Sequence, residues 1–92
     1  MTDQQAAQLF SHSQATTVAW EVIRSIEGHF DRIEICGGLR RGKDQVHDID
    51  LVCLPTDRFS INIGLGSVCT STKPTTEKTT FVCRGIPGEI FF

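Results

Sequence analysis

Two aspartates spaced by one residue, Asp48 and Asp50, offer the clearest chemistry in this 92-residue chain. They begin the run DIDLVCL, which predicts a β-strand, and side chains two apart on a strand point to the same face. At ~5 Å, two carboxylates repel each other by roughly 3 kcal/mol at an effective dielectric near 20. We therefore expect a divalent cation or a basic partner between them, and carboxylate oxygens suit Mg²⁺ or Mn²⁺.

A basic, glycine-rich segment precedes the aspartates. Gly37 and Gly38 allow a sharp turn and bring backbone N–H groups close to an anion. Arg40, Arg41 and Lys43 add positive charge directly after them. Together with the aspartates, these residues could hold a triphosphate and its metal ion. The alternatives are an ordinary Gly-Gly turn, a solvated basic loop, and an Asp-x-Asp pair that is salt-bridged to that loop.

The same segment, from Gly37 to Lys43, also fits the G-x-x-x-x-G-K pattern of a P-loop. A P-loop requires a Ser or Thr directly after the lysine and a helix whose N-terminus faces the phosphates. Here Asp44 follows the lysine, and the strand predicted from Asp48 leaves no room for that helix. The sequence therefore argues against a P-loop nucleoside triphosphatase.

The elements that must position these residues predict an α+β fold. Residues 15–30 have apolar side chains at three- and four-residue intervals, which indicates a helix. Residues 32–36 alternate as in a strand, and residues 48–54 form the second strand. Residues 80–83 and 89–92 predict two more. The sequence thus predicts a mixed sheet of about four strands with an N-terminal helix on one face.

The remaining segments give weaker patterns. INIGLGSV predicts a strand interrupted by glycines, STKPTTEKTT has the composition of an exposed loop, and GIPG has that of a turn. Residues 1–14 are polar and rich in glutamine, so we expect a partly flexible segment there. A single domain would then span residues 15–92.

Composition limits the class of protein. The formal net charge is −2, which argues against a protein that coats nucleic acid through bulk charge. The four cysteines lack metal-type spacing and predict free thiols in a reducing compartment. No stretch approaches the ~18 apolar residues of a membrane span. We therefore expect a cytoplasmic protein without a membrane partner.

The stretch RIEICGGLRRGKDQVHDIDLVCLP resembles the nucleotidyltransferase superfamily that includes DNA polymerase beta, and it is most similar to family X polymerases and short phage-type relatives. The shared pattern is a strand, a Gly-Gly or Gly-Ser pair, a basic stretch, and Asp-x-Asp on the next strand. FVCRGIPGEIFF is similar to the segment that carries a third carboxylate in those relatives. The resemblance extends over residues 18–92 and is weakest over residues 57–79.

The resemblance implies a minimal or truncated palm domain. It would transfer a nucleotidyl group from an NTP or dNTP to a hydroxyl of a nucleic acid or protein and release pyrophosphate by a two-metal-ion mechanism. Asp48, Asp50 and Glu89 would be the catalytic, metal-binding carboxylates, with Mg²⁺ or Mn²⁺ as the cofactor. In the phosphate-binding set, Gly37 and Gly38 with Arg41 would position the β- and γ-phosphates, and Arg40 and Lys43 would add supporting positive charge.

Several positions depart from the family pattern. Gly38 stands where a serine is common, Glu89 stands where an aspartate is usual, and His47 stands where a small residue is usual. The sequence ends three residues after Glu89 without a thumb-like segment, so a partner chain could supply the missing elements. The alternative is a degenerate domain that binds a metal-nucleotide or a protein partner without turnover.

Overall fold

The computed structural model describes residues 8–92; residues 1–7, half of the predicted flexible segment, lie outside the described part. The elements in chain order are β1 (Phe10–Ser11), α1 (His12–Ser25), β2 (Phe30–Cys36), α2 (Gly37–Arg40), β3 (Gln45–Val46), β4 (Ile49–Pro55), α3 (Arg58–Val68), β5 (Ser71–Pro74), β6 (Lys78–Cys83) and β7 (Ile86–Phe91).

The main sheet has five strands in the order β2-β4-β7-β6-β5. The central pair, β4 and β7, is parallel, and the other neighbours are antiparallel. A parallel pair needs a long crossover connection, and here α3, β5 and β6 supply it. Strands β1 and β3 form a separate antiparallel pair. The predicted α+β class and mixed sheet are confirmed, with one strand more than expected.

Helix α1 forms where the apolar periodicity predicts a helix, but it begins at His12 rather than at residue 15. Ser11 explains the earlier start, because its hydroxyl accepts a hydrogen bond from the Gln14 N–H at 3.1 Å and caps the helix. The side chains that this helix and its C-terminus bury are Ala15, Val18, Ala19, Val22, Ile23 and Ile26.

The segment INIGLGSV is helical, so the strand predicted there is wrong. It belongs to α3, whose start is capped by the Asp57 carboxylate, which accepts from the Phe59 N–H at 3.1 Å. Ile61 and Leu65, four residues apart, are fully buried against the core. Gly64 permits close packing on α1, because a Cβ there would lie 2.5 Å from the Ser25 carbonyl oxygen. The glycines therefore serve helix packing rather than interrupting a strand.

The predicted loop STKPTTEKTT is also wrong, since it forms most of an antiparallel hairpin between β5 and β6. The Thr75 N–H donates to the Lys78 carbonyl at 2.7 Å and closes its turn. The predicted turn GIPG begins too late. The actual turn is Arg84-Gly85, with φ of +52° and +81°, and β7 already starts at Ile86. Positive φ at both central residues suits a tight two-residue hairpin.

The two faces of the sheet differ in polarity. On β4, residues Ile49, Leu51 and Cys53 are buried under α1 and α3, which contribute to the same apolar core. Asp50 and Val52 alternate with them and point to the opposite face, where Val52 is 45% exposed. This open face therefore carries the polar chemistry of the domain, and the helices cover only the other face.

The four cysteines are free thiols, as predicted. Burial raises the pKa of Cys53 to about 11 and that of Cys69 to about 12, which makes both poor nucleophiles at neutral pH. Within residues 8–92, none of the helices combines the length and apolar character needed to cross a membrane.

The contact between α3 and α1 can be tested at Gly64. We expect Gly64→Ala to lower the free energy of unfolding by about 1–3 kcal/mol, because its Cβ would overlap the Ser25 carbonyl oxygen. Gly66 is the matched control on the same helix, since a Cβ there would meet nothing within 4 Å. Gly66→Ala should raise the free energy of unfolding by up to about 1 kcal/mol, because alanine has the higher helix propensity. Urea denaturation measures both values, and equal effects would contradict the packing described.

Candidate functional site

The first glycine of the pair, Gly37, lies directly against Asp50, and the second, Gly38, lies against Val46. Strand β2 ends at Cys36, and Gly37 begins the single turn α2 with φ of +65°. A Cβ at Gly37 would overlap the Asp50 Oδ2 atom, and a Cβ at Gly38 would lie 2.9 Å from the Val46 side chain. Gly37 therefore needs to be glycine for its close approach to β4 and for its positive φ, and Gly38 needs to be glycine for its close approach to β3.

Backbone hydrogen bonds fix the shape of the loop. The Lys43 N–H donates to the Gly38 carbonyl at 3.1 Å, and the His12 N–H donates to the Asp44 carbonyl at 2.8 Å. Leu39, between the glycines and the arginines, is 7% exposed and anchors the loop in the core. The start of α1 and a buried side chain thus hold the basic segment beside the aspartates.

Three carboxylates meet at one end of the open sheet face. Asp48 immediately precedes β4 and is exposed, whereas Asp50 lies on β4 and is half-buried. The parallel register pairs Asp50 with Glu89 on β7. The strand predicted from Asp48 begins one residue later, at Ile49, so that only Asp50 of the two aspartates lies on it. The sheet adds Glu89, which is 39 positions after Asp50.

The electrostatics of Asp50 reflect this crowding. Burial raises its pKa, and the negative charges of Asp48 and Glu89 raise it further. The Arg41 guanidinium acts in the opposite direction. These charges have a marked effect on Asp50 only because they lie close to it. The site therefore carries negative charge that Arg41 compensates only in part.

The glycine loop and the aspartates enclose an open cleft of about 230 Å³. Its lining residues are Gly37, Gly38, Arg41, Lys43, Gln45, Val46, His47, Asp48 and Asp50. A neighbouring cleft of about 330 Å³ is lined by Asp48, Ser71, Thr80, Phe81, Val82, Pro87, Gly88 and Glu89. The two clefts share Asp48.

The structure thus separates the residues that the sequence grouped together. Six of the eight predicted site residues line the first cleft. Glu89 lies in the second cleft, beside Asp50 through the strand register. Arg40 is exposed and lines neither cleft, because consecutive residues of a helical turn point in different directions.

The sequence interpretation missed Lys78, whose ammonium forms an ion pair with the Glu89 carboxylate. The signal was the alternation of Lys78, Thr80 and Val82, which are all partly exposed on the outer face of β6. The Thr-, Lys- and Pro-rich composition of the segment, which is typical of a loop, conceals this alternation. His47 lines the first cleft, and its Nδ1 lies 3.1 Å from the Gln8 carbonyl oxygen.

The side chains fit one hard divalent cation better than two. Within the described part of the chain, no three histidine, cysteine or carboxylate side chains converge into a group that could enclose a metal ion. Asp48 and Asp50 nevertheless supply the oxygen donors that Mg²⁺ accepts, since Mg²⁺ is usually held by one or two carboxylates with waters and substrate phosphates. Glu89, which the resemblance assigns to the metal site, is already paired with Lys78.

Comparison with known proteins gives no family assignment. No protein-family model matches this chain, and no curated protein matches it.

The raised pKa of Asp50 predicts an unusual dependence of the protein's stability on pH. Because its pKa is raised above 3.8 in the folded protein, the folded state binds this proton more tightly than the unfolded state does. Ionised Asp50 therefore destabilises the fold, and stability falls as the pH rises from about 3.8 through the folded pKa. We expect Asp50→Asn, which mimics the neutral acid, to be more stable than the native protein at pH 7.

Urea denaturation between pH 3 and pH 7 measures this difference, which should vanish toward pH 3. Asp31→Asn on β2 is the matched control, because Asp31 is exposed and lies outside both clefts. It should change the free energy of unfolding by less than about 0.5 kcal/mol. An Asp50→Asn protein that is less stable than the native one at pH 7 would contradict the crowding of the three carboxylates.

Proposed function

We propose that this chain is a minimal palm domain of the DNA polymerase beta superfamily. It would bind a magnesium nucleoside triphosphate and transfer its nucleotidyl group to a hydroxyl acceptor. The observation that carries the proposal is the first cleft, which is lined by the glycine turn at the start of α2, by Arg41 directly after α2, and by two aspartates at the start of β4. These are the parts that triphosphate binding needs: close backbone, fixed positive charge and hard oxygen ligands.

The order of elements supports the palm assignment. A helix precedes β2, and a glycine turn followed by α2 and β3 leads from β2 to the antiparallel strand β4. Asp48 immediately precedes β4, and Asp50 lies on it. A crossover then leads to the parallel strand β7, which brings a third carboxylate beside Asp50. The resemblance in sequence implies the same order of strand, glycine pair, aspartate pair and later carboxylate.

Each residue has a defined part in the proposed reaction. Asp48 and Asp50 would hold the metal ion, and bound Mg²⁺ would neutralise phosphate charge and lower the pKa of an attacking hydroxyl. Arg41 would donate charge-assisted hydrogen bonds to phosphate oxygens, with Lys43 as a further positive charge. Gly37 and Gly38 would let the phosphates approach the backbone. We assign the second cleft, beyond Asp48, to an acceptor hydroxyl on a nucleic acid or a protein.

The second candidate function is binding of a metal-nucleotide without turnover. One observation favours it: the third carboxylate, Glu89, is engaged by Lys78 instead of being open toward Asp50. In this case the first cleft would act alone as a nucleotide-binding site. The two candidates share the cleft and differ only in the release of pyrophosphate.

Nucleotide binding can be tested with two adjacent arginines. Arg41 lines the first cleft and Arg40 does not. The resemblance in sequence gives Arg41 the role of positioning the phosphates and Arg40 that of a supporting charge. We expect Arg41→Ala to weaken Mg²⁺·ATP binding by about 10- to 100-fold, because the variant loses one or two charge-assisted hydrogen bonds to the phosphates. Arg40→Ala should change it less than about threefold, because exposed charges act weakly through solvent.

Isothermal titration calorimetry gives the affinities, and amide shifts at Gly37, Gly38, Asp48 and Asp50 locate the ligand. If Mg²⁺·ATP shifts none of these amides, both candidate functions are wrong. Equal losses in the two arginine variants would show that the cleft does not orient the phosphates.

Turnover separates the two candidates. We expect the native chain to release pyrophosphate from Mg²⁺·NTP in the presence of hydroxyl acceptors such as a primed nucleic acid. Asp50→Asn should reduce the rate by at least about 100-fold, the loss typical when one charge-stabilising group is removed from a transition state. Asp31→Asn should retain the native rate. Native and Asp50→Asn chains that release pyrophosphate equally slowly, while the native chain binds nucleotide, would favour the binding function.

A further inference from the structure

The third carboxylate, Glu89, already has the positively charged side chain of Lys78 beside it. The Lys78 ammonium pairs with the Glu89 Oε2 atom, and the two side chains are 36% and 29% exposed. The same nitrogen lies 5.4 Å from the centroid of the Phe91 ring. A carboxylate and an aromatic ring therefore hold this ammonium together, which is unlike a lysine that extends freely into solvent.

The strand register produces this arrangement. Strands β6 and β7 pair Lys78 with Phe91 and Thr80 with Glu89, so Lys78 is a diagonal neighbour of Glu89 on the open face. Glu89 is in turn the direct partner of Asp50 across β4 and β7. The three side chains thus follow one another across three adjacent strands, with one positive charge followed by two negative charges.

The row of Lys78, Glu89 and Asp50 does not suit a site for two divalent ions. A second ion would need the Glu89 carboxylate as a ligand, but Lys78 already neutralises that group. Placing a doubly charged ion on the same carboxylate would bring two cations together. In keeping with this, residues 8–92 contain no group of three or more His, Cys, Asp or Glu side chains arranged so that it could hold a metal ion.

We propose that Lys78 replaces the second divalent cation, so that the site binds one metal ion instead of two. Asp48 and Asp50 hold that ion together with the nucleotide phosphates, and the Lys78 ammonium provides the fixed positive charge on the β7 side of Asp50. Lys78 is then a positioning residue, since it holds Glu89 and acts through it. This inference rests on the proposed function, because it concerns the number of ions at the same site.

The test counts Mn²⁺ ions bound at saturating concentrations of a non-hydrolysable ATP analogue. Electron paramagnetic resonance measures free Mn²⁺ during the titration and gives the number of ions per bound nucleotide. We expect one ion for the native chain. Lys78→Met keeps the aliphatic length beside Phe91 and removes the charge, which frees Glu89, so we expect two ions. Lys73→Met is the matched control. Lys73 lies on β5 opposite Thr80, on the same face of the sheet as Lys78, and the Lys73→Met chain should still bind one ion.

The outcomes separate the two proposals. One ion in the native chain and two in Lys78→Met support both of them. Two ions in the native chain, or one ion in a folded Lys78→Met, overturn the role of Lys78 and leave the nucleotide site standing. A native chain that binds no Mn²⁺ with the analogue overturns the proposed function, and the inference with it.

A second measurement on the native chain serves in case Lys78→Met does not fold. The ¹⁵N-detected ammonium resonance of Lys78 reports its ion pair directly. If Lys78 replaces an ion, this resonance keeps its shift and its slow hydrogen exchange when Mg²⁺ and the analogue saturate the site. If a second ion displaces the lysine from Glu89, the resonance shifts and exchanges rapidly with water, which would overturn the inference.

Discussion

The parallel pairing of β4 with β7 is the constraint on which the rest of this domain depends. In that register Ile49 lies beside Gly88 and Leu51 lies beside Ile90, so the core closes on one face while Asp50 and Glu89 meet on the other. A slip of one residue would bury a carboxylate and expose an isoleucine. The same hydrophobic burial that stabilises the sheet therefore forces two like charges together.

Gly88 secures this register. A Cβ at that position would overlap the ring of Phe81 and would lie 2.9 Å from the Ile49 carbonyl oxygen. The ring of Phe81, which is 2% exposed, can therefore lie over the backbone of β7 at this one point. A larger residue in register with Ile49 would push the strands apart or displace the aromatic ring. The position of Glu89 beside Asp50 thus follows from core packing one residue away.

The elements that could be predicted from sequence are those whose residue types follow a pattern over a few neighbouring positions. Helix α1, strands β2 and β4, the glycine turn and the Asp-x-Asp pair all follow from spacing within a few residues. Helix α3 could not be predicted in this way, because its two glycines and β-branched residues are locally poor helix formers. Its stability comes from the burial of Ile61 and Leu65 and from the Asp57 cap, and these contacts depend on the tertiary fold.

The site shows the same division between local and distant information. The residue types identify the basic segment but not which arginine faces the cleft, because that depends on the phase of one helical turn. Only the resemblance favours Arg41 over Arg40. It also cannot pair Lys78 with Glu89, since this contact depends on the register of the β6–β7 hairpin. What local patterns predict well is therefore the set of charges, and what they predict poorly is how the charges are paired.

The glutamate at position 89 and the lysine at position 78 are best understood as one feature. A carboxylate on the shorter side chain of aspartate would stay closer to the backbone of β7, beside Asp50, and reach less far toward β6. The additional methylene of Glu89 extends the carboxylate to the diagonal position of Lys78, where the ammonium pairs with it. Repulsion from Asp50 favours that direction, because ionised Glu89 is one of the charges that raise the pKa of Asp50. Glu89 therefore has a physical partner in this chain, since its longer side chain reaches the ammonium of Lys78 across the β6–β7 pair.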